Sequence, residues 1–287
     1  MVGIALSAGA PAEARVFKAL TFNVRGLPWP LSPLKPSRMA ALCEIVASPA
    51  ASWDVVMLQE LYMDHDQRAL IECGPQGGYR YSYRRGHGVY MIGPMKSGLL
   101  LLSRHPLLWM DSLKFAKQTW QAERGALLAQ LFVRGEPEPL WVANIHLSPD
   151  YKGSKAKHTD DRRSQLVELT GWLSSIVPSG APLIVGGDYN FGPNFKGYDS
   201  LWEEIPAFLP GFAQADYPLE TTCTFCPPND AVPARENAGK LDHLFASPAL
   251  TPVNGRVMFR ERVTRGRKKF FLSDHFGWET EFETATP

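Results

Sequence analysis

Ten short runs of aliphatic, β-branched and aromatic residues divide the sequence, each about the length of one strand and each bounded by turn residues. They are Val16–Val24, Asp54–Leu58, Tyr79–Tyr83, Gly98–Ser103, Gly125–Val133, Leu140–Leu147, Pro182–Gly187, Leu241–Ala246, Gly255–Arg262 and His275–Phe282. Ten strands are too many for a small domain. Gly125–Val133 and Leu140–Leu147 flank the polar stretch from Arg134 to Pro139, which predicts an antiparallel hairpin and hence mixed or antiparallel sheets. Helical patterns fall between the strands. Ser37 can cap a helix running to Ala47, and Asp64 one running to Glu72. Asp160–Ile176 places Leu166, Leu169, Leu173 and Ile176 on one face with Trp172. Two sheets packed face to face with helices outside fit this order of elements.

No repeat, low-complexity tract or Gly/Ser linker interrupts the pattern, so residues 16–287 read as one domain. Residues 1–15 read as a flexible N-terminus or the remnant of an export signal. Met1 to Ala14 are small and apolar and end in Ala12-Glu13-Ala14, but they lack a basic n-region and a full h-region. No run approaches the roughly 18–20 apolar residues of a membrane span. Gly98–Leu102, the longest dense apolar segment, is strand-sized. Four cysteines are too few for a disulfide scaffold at this length. Cys43 and Cys73 read as packed thiols. Cys223 and Cys226 form a lone CxxC, which reads as loop thiols or one local disulfide and lacks the second pair of a structural zinc site.

Polar and ionisable residues recur at the ends of these apolar runs. Asn23 closes the first, Glu60 follows Val55-Val56-Met57-Leu58, His146 ends Trp141-Val142-Ala143-Asn144-Ile145, and Asp188 and Asn190 follow Leu183-Ile184-Val185. Asp242 opens a later run, and Asp274-His275 stands before the last. If the strands converge, these side chains surround one cleft. Carboxylates with Asn and His are what hydrolysis of a phosphate ester requires. A hard divalent cation takes oxygen ligands and offsets phosphoryl charge, a base deprotonates water, and further donors hold the developing charge. Each residue alone has a plainer reading: a solvated turn for Glu60, an Asx turn for Asp188-Tyr189-Asn190, a core histidine for His146, a strand cap for Ser273-Asp274-His275. Their co-occurrence in order favours a site.

The blocks Thr21-Phe22-Asn23-Val24-Arg25-Gly26, Leu58-Gln59-Glu60, Asn144-Ile145-His146-Leu147, Gly187-Asp188-Tyr189-Asn190, Leu241-Asp242-His243 and Ser273-Asp274-His275 resemble the signatures of the endonuclease/exonuclease/phosphatase superfamily. The resemblance implies an α/β (α+β) fold, a four-layer sandwich of two mixed, largely antiparallel sheets flanked by helices, and a Mg²⁺-dependent phosphoesterase, with Mn²⁺ or another divalent cation as a substitute. It implies Glu60, Asn23 and Asp274 around the metal, His275 as the catalytic histidine oriented by Asp242, and Asp188 at the nucleophile or leaving group. Asn190 and His146 become the phosphate-binding pair, with His275 and Asp188 both open as the base. Arg124 and Lys240 are further expected phosphate contacts.

Other blocks resemble the neutral sphingomyelinase branch: Thr21–Pro28, Ser97-Gly98-Leu99, Ser103–Pro106, His146–Tyr151, Arg162–Leu166 and Thr221-Thr222-Cys223. A phospholipid headgroup at a membrane surface is therefore the expected substrate of a monomeric enzyme, with nucleic acid or soluble and inositol phosphates as alternatives. Trp29, Phe195, Phe225, Phe270 and Phe271 are expected interfacial aromatics. The chain carries 30 basic and 29 acidic residues, a formal charge of +1, which excludes a wholesale polyanion binder. That balance hides a strip from Arg256 to Lys269 with seven basic residues against Glu261. The strip reads as a solvated strand and loop, or as an anion-attracting lip beside Asp274 and His275.

Overall fold

The computed structural model describes residues 15–85, 95–119, 122–149, 155–193, 200–218, 222–232 and 238–284. Met1–Ala14, Asp150, Tyr151, Phe195 and Thr221, which figured in the expectations above, lie outside the described residues. In chain order the elements are β1 (Val16–Asn23), α1 (Lys35–Ala47), β2 (Val55–Gln59), α2 (Asp64–Cys73), β3 (Tyr81–Arg84), β4 (Leu100–Ser103), β5 (Leu107–Lys114), β6 (Gly125–Leu131) and β7 (Leu140–His146). They continue with α3 (Lys155–Ile176), β8 (Leu183–Asp188), α4 (Leu201–Phe208), β9 (Asp242–Ala246), β10 (Leu250–Met258), β11 (Val263–Arg265), β12 (Lys268–Phe270) and β13 (Gly277–Thr284).

One sheet has the order β10-β13-β1-β2-β4-β3 and the other β5-β6-β7-β8-β9, with β11-β12 a separate hairpin. Within the two large sheets, β1 pairs with β2 and β7 with β8 in parallel, while the other pairs are antiparallel. Central strands buried on both faces need apolar residues at consecutive positions, and the runs in β2 and β8 have that character. Successive side chains alternate between two cores. Phe17, Ala19, Val55, Met57, Val142, Ile184, Leu244 and Trp278 pack between the sheets. Leu20, Phe22, Val56 and Leu58 face α1 and α2, and Ala143, Ile145, Val185 and Phe245 face α3 and α4. Three stacked cores make four layers, the sandwich the sequence predicts.

Trp278 is 1% exposed, lies in the inter-sheet core, and meets the Tyr217 ring at 5.5 Å. Trp278→Ala is expected to cost about 3–5 kcal/mol of stability, read as a lower midpoint of urea denaturation at unchanged slope. A loss below about 1 kcal/mol would mean that the two sheets repack without it.

Several local expectations are corrected. Ser37 does not cap α1: the helix begins at Lys35, with Pro36 in its first turn and Leu34 at the cap in a left-handed conformation (φ 56°). Met63 occupies the cap of α2, and Asp64 instead sits in the first turn, where it pairs with Arg68 and Arg84 at 2.7 Å and suits the positive end of the helix. Cys43 and Cys73 are not free thiols but form a disulfide between α1 and the end of α2, their Cα atoms 6.0 Å apart. Cys223 and Cys226 form the local disulfide that was one of their two readings.

Candidate active site

Strand register assembles the site. His146 on β7 stands opposite Asp188 on β8, Asp188 opposite Asp242 on β9, and in the other sheet Asn23 on β1 opposite Gln59 on β2. Alternation turns these side chains to the same side as Val55, Met57, Val142, Ile184 and Leu244, that is, into the gap between the sheets. The polar cluster is therefore the rim of the inter-sheet core. Glu60 follows Gln59 in a left-handed conformation (φ 62°), and a side chain at Gly26 would collide with its carbonyl oxygen at 2.3 Å. Gly187 (φ 149°) has no room for a side chain either, because a Cβ there would lie 2.0 Å from the Ile145 carbonyl oxygen.

Side-chain hydrogen bonds cross the gap, among them two from Asn144 Nδ2 to the Leu58 and Leu100 carbonyls at 3.1 Å. Asn23 Nδ2 donates to Asp188 Oδ2 at 2.9 Å, and Gln59 Nε2 donates to Asn144 Oδ1 at 2.8 Å. His275 lies just before β13, with Nδ1 2.9 Å from Asp242 Oδ2 and Nε2 3.9 Å from Asp188 Oδ2. His146 Nε2 is 3.5 Å from the same Asp188 oxygen. Arg124, in the residue before β6, places Nη1 2.7 Å from His146 Nδ1 and 2.6 Å from Nε2 and donates to whichever of the two carries no proton. Asn190 closes the predicted Asx turn, its N–H donating to Asp188 Oδ1 at 2.9 Å, while its amide donates to the Leu147 carbonyl at 3.0 Å.

Electrostatics separates these groups. Burial raises Asp188 to about 7, with Asp242 adding to the effect and His275 opposing it. Burial works against a charged His275, but Asp242 and Asp188 outweigh it and raise the imidazole to about 10. His146 shifts well below its ordinary value through burial, then through the charges of Arg124 and His275. One histidine is thus held protonated and the other neutral. Burial, then the charge of Asp274, raises Glu60.

The charge of Asp274 thus acts on the neighbouring Glu60, and with the Asn23 amide beside Glu60 the two carboxylates form an oxygen donor set suited to a hard cation. Among the described residues, the tight cluster of potential ligand atoms is instead Asp188, Asp242 and His275, within 4.8 Å of one another. Its imidazole Nδ1 is already bonded to Asp242, and Mg²⁺ favours oxygen over imidazole, so this triad fits proton handling better.

Lys240 is placed elsewhere, contrary to its expected contact with the phosphate. It is fully buried, 4.2 Å from the Trp278 ring centroid and 4.5 Å from that of Tyr217, and it donates to the Asp242 carbonyl at 3.0 Å. Of the expected interfacial aromatics, Phe270 and Phe271 are buried and Phe225 packs on the His275 ring at 4.9 Å, whereas Trp29 is 85% exposed. Three of the seven basic residues in the strip are paired: Arg256 with Glu279, Arg262 with Asp230 and Arg265 with Glu44.

Sequence reasoning missed the supports behind the cluster. Arg25 Nε lies 3.3 Å from Asp274 Oδ2, and its Nη1 donates to the Ala231 carbonyl at 2.9 Å. Buried Arg38 donates to the Val24 and Leu272 carbonyls, both at 2.8 Å. Thr224 Oγ1 accepts from the N–H groups of Leu241 and Asp242. Arg25 was visible inside a signature block, but nothing in spacing or composition singles out Arg38 or Thr224.

Comparison with known proteins fits this geometry. No curated protein sequence matches the chain. Among solved structures, sphingomyelinase C from Streptomyces griseocarneus superposes with TM-score 0.67 at 18% identity, covering 93% of this chain and 99% of that one. A variant of Staphylococcus aureus beta toxin with bound magnesium ions gives 0.73 at 15% identity, covering 93% and 99%. D. rerio TDP2 complexed with single strand DNA product gives 0.71 at 19%, covering 94% and 99%. At these identities the likeness is one of fold. The profile of the Endonuclease/Exonuclease/phosphatase family matches residues 20–275, an interval that contains every residue of the cluster, and the chain belongs to that family.

Proposed function

We propose that this chain is a divalent-cation-dependent phosphodiesterase that cleaves a phospholipid headgroup, with sphingomyelin the leading substrate. The observation that carries the reaction is the pairing of a protonated His275 with a carboxylate, Asp188, whose affinity for a proton is raised to about 7. Asp188 accepts a proton from water as the water oxygen bonds to phosphorus. His275, held through Nδ1 by Asp242, offers its Nε2 proton to the departing oxygen as the phosphorus–oxygen bond breaks. Asn190 and neutral His146, the latter backed by Arg124, line the phosphate position and hold the charge that develops on its oxygens. Glu60, Asp274 and Asn23 would hold a Mg²⁺ ion, whose chemistry is to offset phosphoryl charge.

The lipid reading is supported by the signature blocks similar to the neutral sphingomyelinase branch and by the fold shared with sphingomyelinase C. Parallel assays on sphingomyelin vesicles, single-stranded and duplex DNA, and soluble phosphomonoesters, each with Mg²⁺ and with chelator, test it. Release of phosphocholine that stops in chelator is the expected result. Hydrolysis of DNA without hydrolysis of lipid would replace this substrate with nucleic acid, and full turnover in chelator would remove the metal.

The assignment of acid and base has its own signature. The pH profile of kcat/KM should rise through about 7 and fall through about 10, as the pair loses first one proton and then the other. Asp242→Asn removes the leading charge that favours protonated His275, so the falling limb should move to lower pH. An unmoved limb would show that His275 is not the acid.

A further inference from the structure

The loop from Pro28 to Leu34 presents its apolar side chains outward although it is clamped from within. Trp29 is 85% exposed, Leu31 60% and Leu34 39%. Beneath them Ser32, 2% exposed, donates to the Arg25 carbonyl at 2.6 Å and accepts from buried Arg38, and Leu31 N–H closes a turn on the Pro28 carbonyl at 2.9 Å. The exposure of Trp29 and Leu31 thus belongs to a loop held in place by buried polar contacts. An indole and a leucine held out of the core in this way need a partner to cover them.

A second feature lies beside the end of this loop, at Pro33 and Leu34. The β11–β12 hairpin turns at Gly266 (φ 60°) and carries Arg267, Lys268 and Lys269, all exposed and without an ion pair among the described residues. Leu34 of the loop and Lys269 of the hairpin line one cavity of about 300 Å³, which Arg25 and Ser273 also line. Arg25 contacts Asp274, so the cavity adjoins the catalytic rim. The end of the apolar loop and the positive hairpin therefore flank one approach to the site, with Asp230 also lining it. Tryptophan and leucine beside unpaired Lys and Arg are the composition that partitions into the headgroup region of a bilayer, with the cations meeting anionic headgroups.

We propose that Trp29 and Leu31, together with Arg267, Lys268 and Lys269, form a docking face that seats the enzyme on an anionic lipid surface with the catalytic rim beside the headgroups. The proposal deepens the lipid reading of the site and rests on it. Charge complementarity selects the partner: a protein groove would suit the knob alone and a nucleic acid the hairpin alone, whereas an anionic bilayer satisfies both.

The test uses the full chain carrying His275→Asn, which silences hydrolysis, in cosedimentation with phosphatidylcholine vesicles with and without phosphatidylglycerol. Binding should be stronger to the anionic vesicles and weaken with salt. Lys268→Glu with Lys269→Glu should weaken it about tenfold or more, and Trp29→Ser with Leu31→Ser should weaken binding to both vesicle types. In the otherwise wild-type enzyme, both double variants should keep their melting temperature and their turnover of a soluble phosphodiester, bis(p-nitrophenyl) phosphate. Unchanged vesicle binding in both variants overturns the docking face. So does a charge variant that loses single-stranded DNA binding while Trp29 and Leu31 prove irrelevant to lipid. Vesicle binding without sphingomyelin cleavage by the wild-type enzyme would overturn the substrate reading and leave the docking face standing. Cleavage of sphingomyelin in detergent micelles with no vesicle binding would do the reverse.

Discussion

His275→Asn should lower kcat by roughly 10²–10⁴-fold, the range that a positioned acid or base contributes, while melting at a higher temperature than His275→Ala. Asparagine is chosen because the environment of His275 is unforgiving. Asp242 is 0% exposed and its Oδ2 pairs with His275 Nδ1 at 2.9 Å. An asparagine amide can still donate to Asp242, but it has nothing to place where Nε2 faces Asp188. Both variants leave the buried Asp242 carboxylate without its cation, which commonly costs about 3–5 kcal/mol, and His275→Ala also takes away its hydrogen-bond donor. Comparing the two variants separates chemistry from stability. Near-wild-type turnover in the asparagine variant would remove His275 from the reaction.

Glu60→Gln should reduce turnover on the order of 10³-fold at fixed Mg²⁺, because a cation contributes several kcal/mol to the developing charge. Part of the loss should return when Mg²⁺ is raised. The substitution keeps the shape of the side chain and its place beside Asn23, and it removes the charge that opposes Asp274. Folding should not suffer. Burial already pushes Glu60 toward its protonated form, so the folded chain without metal is working against this carboxylate. Thermal denaturation distinguishes the cases: wild-type protein should gain stability on adding Mg²⁺, and Glu60→Gln should gain much less. Equal stabilisation of both proteins would place the cation elsewhere, with Asp188, Asp242 and His275 as the alternative ligands.

Most of the site was legible because its residues stand where buried strands end, and a polar residue closing an apolar run needs a reason that only tertiary structure supplies. Asn23, Glu60, His146 and Asp188 share that property while Asp242 opens its run, and strand register brings His146, Asp188 and Asp242 side by side. What stayed hidden follows from weaker signals. Strand β5 was missed because it is a half-exposed edge, its Leu108, Trp109 and Met110 facing outward, so it lacks an alternating pattern. Helix α4 contains Pro206, which argues against a helix. Strand β10 begins at Leu250, five residues before its expected start at Gly255, because an edge strand tolerates Pro252 together with the register shift beside it. Lys240 was read as a phosphate contact from its closeness in sequence to Asp242, but its side chain instead reaches the aromatic rings of the inter-sheet core. The Cys43–Cys73 bond joins residues 30 apart that only helix packing unites.

The bonds from Asn23 to Asp188 and from Gln59 to Asn144 make catalysis a gauge of sheet docking. Each half of the chain supplies an incomplete set of groups, so an intermediate in which one sheet has formed and the other is loose should have no activity. Loss of turnover during denaturation should coincide with exposure of the inter-sheet core, and hydrogen exchange at the ends of β1 and β8 should be as slow as at their centres. Asn23 and Asp188, to which the proposed reaction assigns roles, are also part of the clasp by which one half of the molecule holds the other.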